Sequence, residues 1–119
     1  MDLSSVSVKP YSSLTIKHPV TGVDTDIVID IYGKDSDYYR DLWQGLLKKA
    51  ADKKVEEKDY EAESLDIFVM CTMSWVNLEY NGEPLECTPE NVRMIYTNES
   101  FRWLHEQVLG FVGKRENFI

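Results

Sequence analysis

The run "ESLDIFVMCTMSWVNLEY", residues 63–80, constrains this chain most. At helical spacing Leu65, Phe68, Val69, Thr72, Met73 and Val76 share one face, and Ile67, Met70, Cys71, Ser74 and Trp75 share the other. A segment that is apolar on nearly all sides belongs at the centre of a fold, with other elements arranged around it. Its β-branched and aromatic residues would also suit a strand. The run exceeds a usual strand length, however, and the acidic lead-in "KDYEAES" suits a helix N-terminus, so the reading is a helix over about 60–77.

The N-terminal third supplies what packs on it. Residues 1–12 are Ser-rich, contain Pro10 and read as a flexible arm. "SLTIKHP" alternates apolar and polar side chains, "VTGVDTD" offers turn residues, and "IVIDIYG" places Ile27, Ile29 and Ile31 on one face. Together they read as a β-hairpin over about 13–32, which needs another layer to be stable. "GKDSDYYRDLWQGLLKKAADKK" then begins a helix over about 36–54, capped by Asp35 or Ser36, with Tyr39, Leu42, Trp43, Leu46 and Leu47 on its apolar stripe. Gly45 inside that helix is unfavourable by about 1 kcal/mol relative to Ala, and close packing against the hairpin would account for it. The mixed-charge stretch 48–63 reads as a solvated helix face or connector.

The C-terminal third is punctuated by turn and cap signals. Asn81-Gly82 is a strong tight-turn signal. Thr88 is an N-cap with Pro89 at the first helical position and Glu90 behind it, opening a helix over about 89–97. Asn98 or Ser100 starts a last helix over about 99–112, closed by Gly113. The expected fold is therefore α+β: a mainly α-helical bundle with an N-terminal β-hairpin, forming a single domain over 13–119.

Composition excludes several functions. With a net charge of −8 over 119 residues, the chain is poorly suited to nucleic-acid backbones or anionic membranes, and no apolar run is long enough to span a bilayer. No signal-peptide pattern opens the sequence, so Cys71 and Cys87 are expected as reduced thiols. His18 and His105 lie far from both cysteines and from each other, which gives no metal-ligand spacing. Cys71 sits in an apolar run that keeps a thiol inert. Cys87 lies near a helix N-terminus, which would lower its pKa, but has no evident His partner. Carboxylate pairs such as Asp24 with Asp26 are expected by chance among 21 acids. No Gly-rich phosphate loop follows a strand. Neither catalysis nor a cofactor is expected.

The second half resembles the small tail assembly chaperones of long-tailed bacteriophages. The similarity is carried in order by Trp75, "GEPL" (Gly82 to Leu85, with Pro84), "TPEN" (Thr88 to Asn91, with Pro89), "WLHEQV" (Trp103 to Val108) and "RENF" (Arg115 to Phe118, with Asn117). "HPVTGVDTDIVIDIYGKDSDYY" is similar to that family's hairpin and helix start, and the resemblance covers about 14–119 outside 45–65. It implies a holdase that binds the tape measure protein, and in some cases the major tail protein, while tail subunits polymerise. Such a protein acts in the host cytoplasm and is absent from the mature virion. It also implies a longer form made by −1 frameshifting, and Val112-Gly113-Lys114 would permit the slippery heptamer G-GGA-AAG if encoded GTG-GGA-AAG. Self-association into a homo-oligomer stays open. Trp75, Tyr80, Trp103 and Phe118 are the candidate partner-binding residues, with core packing the competing role for each. The alternatives are a structural tail or neck component, such as a terminator or connector, and a small acidic phage protein that binds a host factor.

Overall fold

Antiparallel pairing builds more of this molecule than the helical reading expects. The structure, a computed structural model, describes residues 1–52 and 57–119, so part of the charged stretch 48–63 lies outside the described residues. β1 (Tyr11–Lys17) pairs antiparallel with β2 (Asp24–Tyr32). The alternation sends Ile16 inward from β1 and Ile29 and Ile31 inward from β2, and all three are fully buried. α1 (Asp37–Asp52) follows, and the buried Ser36 hydroxyl caps it by accepting from the Tyr39 amide at 3.1 Å.

The central run behaves as two elements. α2 (Glu57–Cys71) stops at Cys71, and β3 (Thr72–Val76) continues the chain as a strand. β3 pairs antiparallel with β2, setting Val28 opposite Val76 and Ile29 opposite Trp75, with an irregularity between Asp30 and Ile31. This corrects the expected helix over 60–77 and with it the fold class. The protein is a mixed α and β fold around a three-stranded antiparallel sheet, not a helical bundle carrying a hairpin. The physical reason is the free edge of β2. A third strand pairs the backbone groups along that edge, and Thr72, Trp75 and Val76 are residues that favour a half-buried strand. Tertiary pairing thus overrides the helical spacing.

After β3 the chain turns through Asn77, in the left-handed region at φ 61°. Its side-chain amide donates to the Asp26 carbonyl at 3.0 Å. β4 (Glu79–Tyr80) and β5 (Glu83–Pro84) form a small hairpin with Asn81 and Gly82 as its two-residue loop, both at positive φ (53° and 82°) as the expected tight turn requires. α3 (Pro89–Thr97) is capped by Thr88, whose hydroxyl accepts from the Asn91 amide at 3.2 Å. Asn98 caps a single 3-10 turn, and α4 (Arg102–Val112) ends at Gly113.

The main core joins Ile16, Ile29 and Ile31 of the sheet to Val69 and Trp75, Val92, Ile95 and Tyr96 of α3, and Leu104, Val108 and Val112 of α4. A smaller cluster of Leu46, Ile67 and Cys71 lies under α1. Gly45 plays no part in close packing, because a Cβ added there would meet nothing within 4 Å. The other face of the sheet carries Asp30, whose carboxylate accepts from Ser13 and from Ser74 (3.2 Å) on the flanking strands.

Candidate functional site

The four aromatic residues proposed for partner contact divide into two pairs. Trp75 is buried, and its indole N–H donates to the Leu85 carbonyl at 2.7 Å, tying β3 to the strand–helix connection. Phe118 is 1% exposed and lies over Gly33, where a Cβ would come within 2.7 to 2.9 Å of its ring. Neither ring is free to meet a partner in this conformation. The residues around Phe118 have structural partners as well. Arg115 grips the Asp35 carboxylate with two hydrogen bonds (2.6 and 3.1 Å), and the Asn117 amide donates to the Phe111 carbonyl at 3.0 Å. The Lys9 amide donates to the Phe118 carbonyl, which ties residue 9 of the expected flexible arm to the C-terminal turn.

Tyr80 and Trp103, by contrast, are half-buried and border one apolar notch. Ile27, Tyr80, Phe101 and Trp103 contribute to its walls, and Leu78, Ile95 and Leu104 come from the core beneath. The Tyr80 and Phe101 rings stand edge to face with centroids 6.0 Å apart, and the Trp103 indole N–H is bound to the Ser100 carbonyl at 3.1 Å. With their positions fixed by these contacts, the walls are preformed. The volume is about 100 Å³, equivalent to about three waters at ~30 Å³ each, or to one aliphatic side chain. Glu79, between Leu78 and Tyr80, also borders it. The Asn81-Gly82 turn places Tyr80 here, and the Thr88 and Asn98 caps place Phe101 and Trp103 opposite.

A wider groove runs between α1 and α2, about 310 Å³, with Leu42, Leu46, Ile67 and Met70 as its apolar lining. Its acids are largely engaged: Glu63 pairs with Lys49 at 3.6 Å, and Asp66 pairs with Arg93.

The groups weighed for chemistry are set for packing. Cys71 is fully buried, and burial pushes its thiol up to about 12. Cys87 is half-buried, and burial raises its pKa against the opposing effect of the hydrogen bond from the Trp75 amide. The helix N-terminus beside it therefore does not yield a low-pKa thiol. His105 stacks on Tyr96 with centroids 4.6 Å apart, and burial lowers its pKa while nearby Glu106 acts weakly the other way. Among the described residues no group of three or more His, Cys, Asp or Glu side chains could hold a metal ion. No helix of the described residues is long and apolar enough to cross a membrane.

Gln107 is a residue whose role the sequence did not disclose. Its side-chain amide accepts from the Lys17 N–H (2.8 Å) and donates to the Lys17 carbonyl (2.9 Å), so it pairs with the edge of β1 as a strand residue would. Only knowledge that α4 lies beside β1 reveals this. No protein-family model, curated protein or solved structure matches the chain.

Proposed function

We propose that this protein is a bacteriophage tail assembly chaperone that binds the tape measure protein, keeps it soluble and promotes polymerisation of the tail tube around it. The observation that carries the reading is the ordered series Trp75, "GEPL", "TPEN", "WLHEQV" and "RENF". The geometry adds support. Two aromatic residues of that half, Tyr80 and Trp103, border a preformed apolar notch of one side chain's size. Such a notch suits a single apolar anchor from a helical partner. Repeated along a tape measure protein, shallow contacts of this kind would cover apolar stripes and still release as tail subunits arrive. The net charge of −8 keeps copies on one tape apart. On this reading the protein works in the host cytoplasm and is absent from the finished virion. A frameshifted longer form, where made, would recruit the major tail protein.

The test is to produce the tape measure protein of the same genome alone and together with this chain, then to measure its soluble fraction and co-purification. The proposal expects soluble complex only on co-production, and loss of complex with Tyr80→Ala and Trp103→Ala together. Insoluble tape measure protein in both cases, or this chain found in purified virions, would overturn it in favour of a structural tail component.

A further inference from the structure

The two outer edges of the three-stranded sheet are treated differently. On β3 the Trp75 amide faces outward and is met by the Cys87 sulfur, while the indole of the same residue binds the Leu85 carbonyl, so the connection after β5 covers that edge at Trp75. On β1 the register fixes which backbone groups face out. The Gly33 amide donates to the Pro10 carbonyl at 2.9 Å, which makes 10 and 33 a hydrogen-bonded pair. In the ladder that pairs Ser12 with Ile31 and Leu14 with Ile29, the even-numbered residues of β1 therefore face β2. The N–H and C=O groups of Tyr11, Ser13 and Thr15 face away from it. Lys9 and Lys17, on the same outward phase, are already engaged, by the Phe118 carbonyl and by the Gln107 amide. Between those two ends the edge has no partner among the described residues, and Tyr11, Ser13 and Thr15 are exposed.

This open edge lies beside a trough. Between β1 and the C-terminal half of α4 there is a concavity of about 330 Å³ whose lining includes Leu14, Phe111 and Gly110. A Cβ added at Gly110 would meet nothing within 4 Å, so the glycine leaves that side unobstructed. The charge here runs against that of the whole molecule. Lys9 lies at one end of the strand and Lys17 at the other, where the ladder sets Asp24 opposite it, and Lys114 and Glu116 are the charged residues that line the trough beside Lys17.

We infer that the Tyr11–Thr15 edge of β1 is a docking site for an extended segment of a partner protein. The segment adds as a fourth strand, sets an apolar side chain over Gly110 and carries carboxylates at its two ends that face Lys9 and Lys17. Main-chain pairing supplies the attachment, and alternate side chains supply selectivity, as in other strand additions. A second copy of β1 is a poor occupant. Antiparallel self-pairing centred on Ser13 would bring Lys9 of one copy opposite Lys17 of the other, and both copies carry the same negative net charge.

The test uses the intact chain and two synthetic seven-residue peptides of alternating Thr and Val, one with Glu at both ends and one with Lys at both ends. Backbone amide resonances are followed during titration. The Glu-ended peptide is expected to shift the Tyr11, Ser13 and Thr15 amides and to bind about tenfold more tightly than the Lys-ended one, as two screened end pairs would give. Gly110→Leu, which adds bulk where a Cβ meets nothing within 4 Å, is expected to abolish the shifts while leaving the melting temperature equal or higher. Thr15→Pro, which removes one outward N–H and no ladder bond, is expected to weaken binding. Three results would each overturn the inference: no movement of these amides at millimolar Glu-ended peptide, equal affinity for both peptides, or unchanged binding by a folded Gly110→Leu protein.

Discussion

The contact between Gly33 and Phe118 offers the sharpest test of how the chain ends are held. Gly33 has no positive φ, so its lack of a side chain answers to space and not to backbone conformation. A Cβ built there falls 2.7 Å from Cδ1 of Phe118 and 2.9 Å from both Cε1 and Cγ. Carbon atoms in good contact sit about 3.5–4.0 Å apart, so in Gly33→Ala the ring must retreat by about 1 Å. It has little freedom to do so, because Phe118 is 1% exposed and rests against Phe111 with centroids 5.3 Å apart. Overpacking of this kind costs about 1–3 kcal/mol. Removing the ring instead, in Phe118→Ala, vacates a filled site at about 3–5 kcal/mol, and Phe118→Leu is a milder form that keeps the protein safely folded. The double variant carries the argument. With a smaller residue at 118 the new Cβ has somewhere to go, so Gly33→Ala/Phe118→Leu should be more stable than the sum of the two single changes by about 1–2 kcal/mol. Urea denaturation of the four proteins, with slopes compared to exclude altered cooperativity, measures that coupling directly. Additive losses, or a Gly33→Ala protein as stable as the parent, would refute the claim that Phe118 plugs the turn after β2.

Gly45→Ala should raise the melting temperature, since the new methyl meets no neighbour and a helix-interior Gly is about 1 kcal/mol less favourable than Ala; a thermal scan of the pair decides it. Burial holds His105 toward its neutral form, so the unfolded chain takes up the proton first as pH falls through its ordinary value of about 6.5. Stability should therefore be undiminished above about that pH and decline below it, levelling off once the folded ring also protonates. Melting temperatures between about pH 7.5 and about pH 5 should show a step that His105→Phe removes. Iodoacetamide should leave Cys71 unmodified in the native protein and label it readily in denaturant, because a fully buried thiol with a pKa near 12 presents almost no thiolate; peptide mass mapping reads the result.

Local signals were legible in the sequence and long-range ones were not. The Asn81-Gly82 turn, the Thr88 and Ser36 caps and the burial of alternate residues in β2 follow from chemistry confined to a few neighbouring residues, and the structure holds them. The fate of residues 72–76 did not follow, because their helical periodicity is genuine and only the unpaired edge of β2 converts them to a strand. The candidate contact residues divide on the same line. Tyr80 and Trp103 come together because two caps and a turn aim them at one notch. Trp75 and Phe118 are committed to burial by partners at Leu85 and Gly33, which nothing near them in the sequence indicates. Gln107 shows this most plainly, since a side chain that pairs with a strand ninety residues away leaves no trace in local pattern.

The switch from α2 to β3 also explains why the C-terminal third carries so much punctuation. Once Thr72–Val76 joins the sheet, Trp75 sits next to an outer edge, and the backbone beyond it must be covered. The β4–β5 hairpin reverses the chain within a few residues and brings the Leu85 carbonyl to the Trp75 indole and the Cys87 sulfur to the Trp75 amide. The Thr88 cap then starts α3 without delay, which seats Val92, Ile95 and Tyr96 in the main core. A turn that failed at Gly82 would uncover Trp75 and empty part of the core together, so the stability of the sheet depends on a hairpin that pairs by backbone with none of its three strands among the described residues. Among the described residues the opposite edge, beside β1, is held only at Lys9 and Lys17. A fold that ties one edge down at its Trp75 and leaves the middle of the other open offers residues 11–15 for strand pairing.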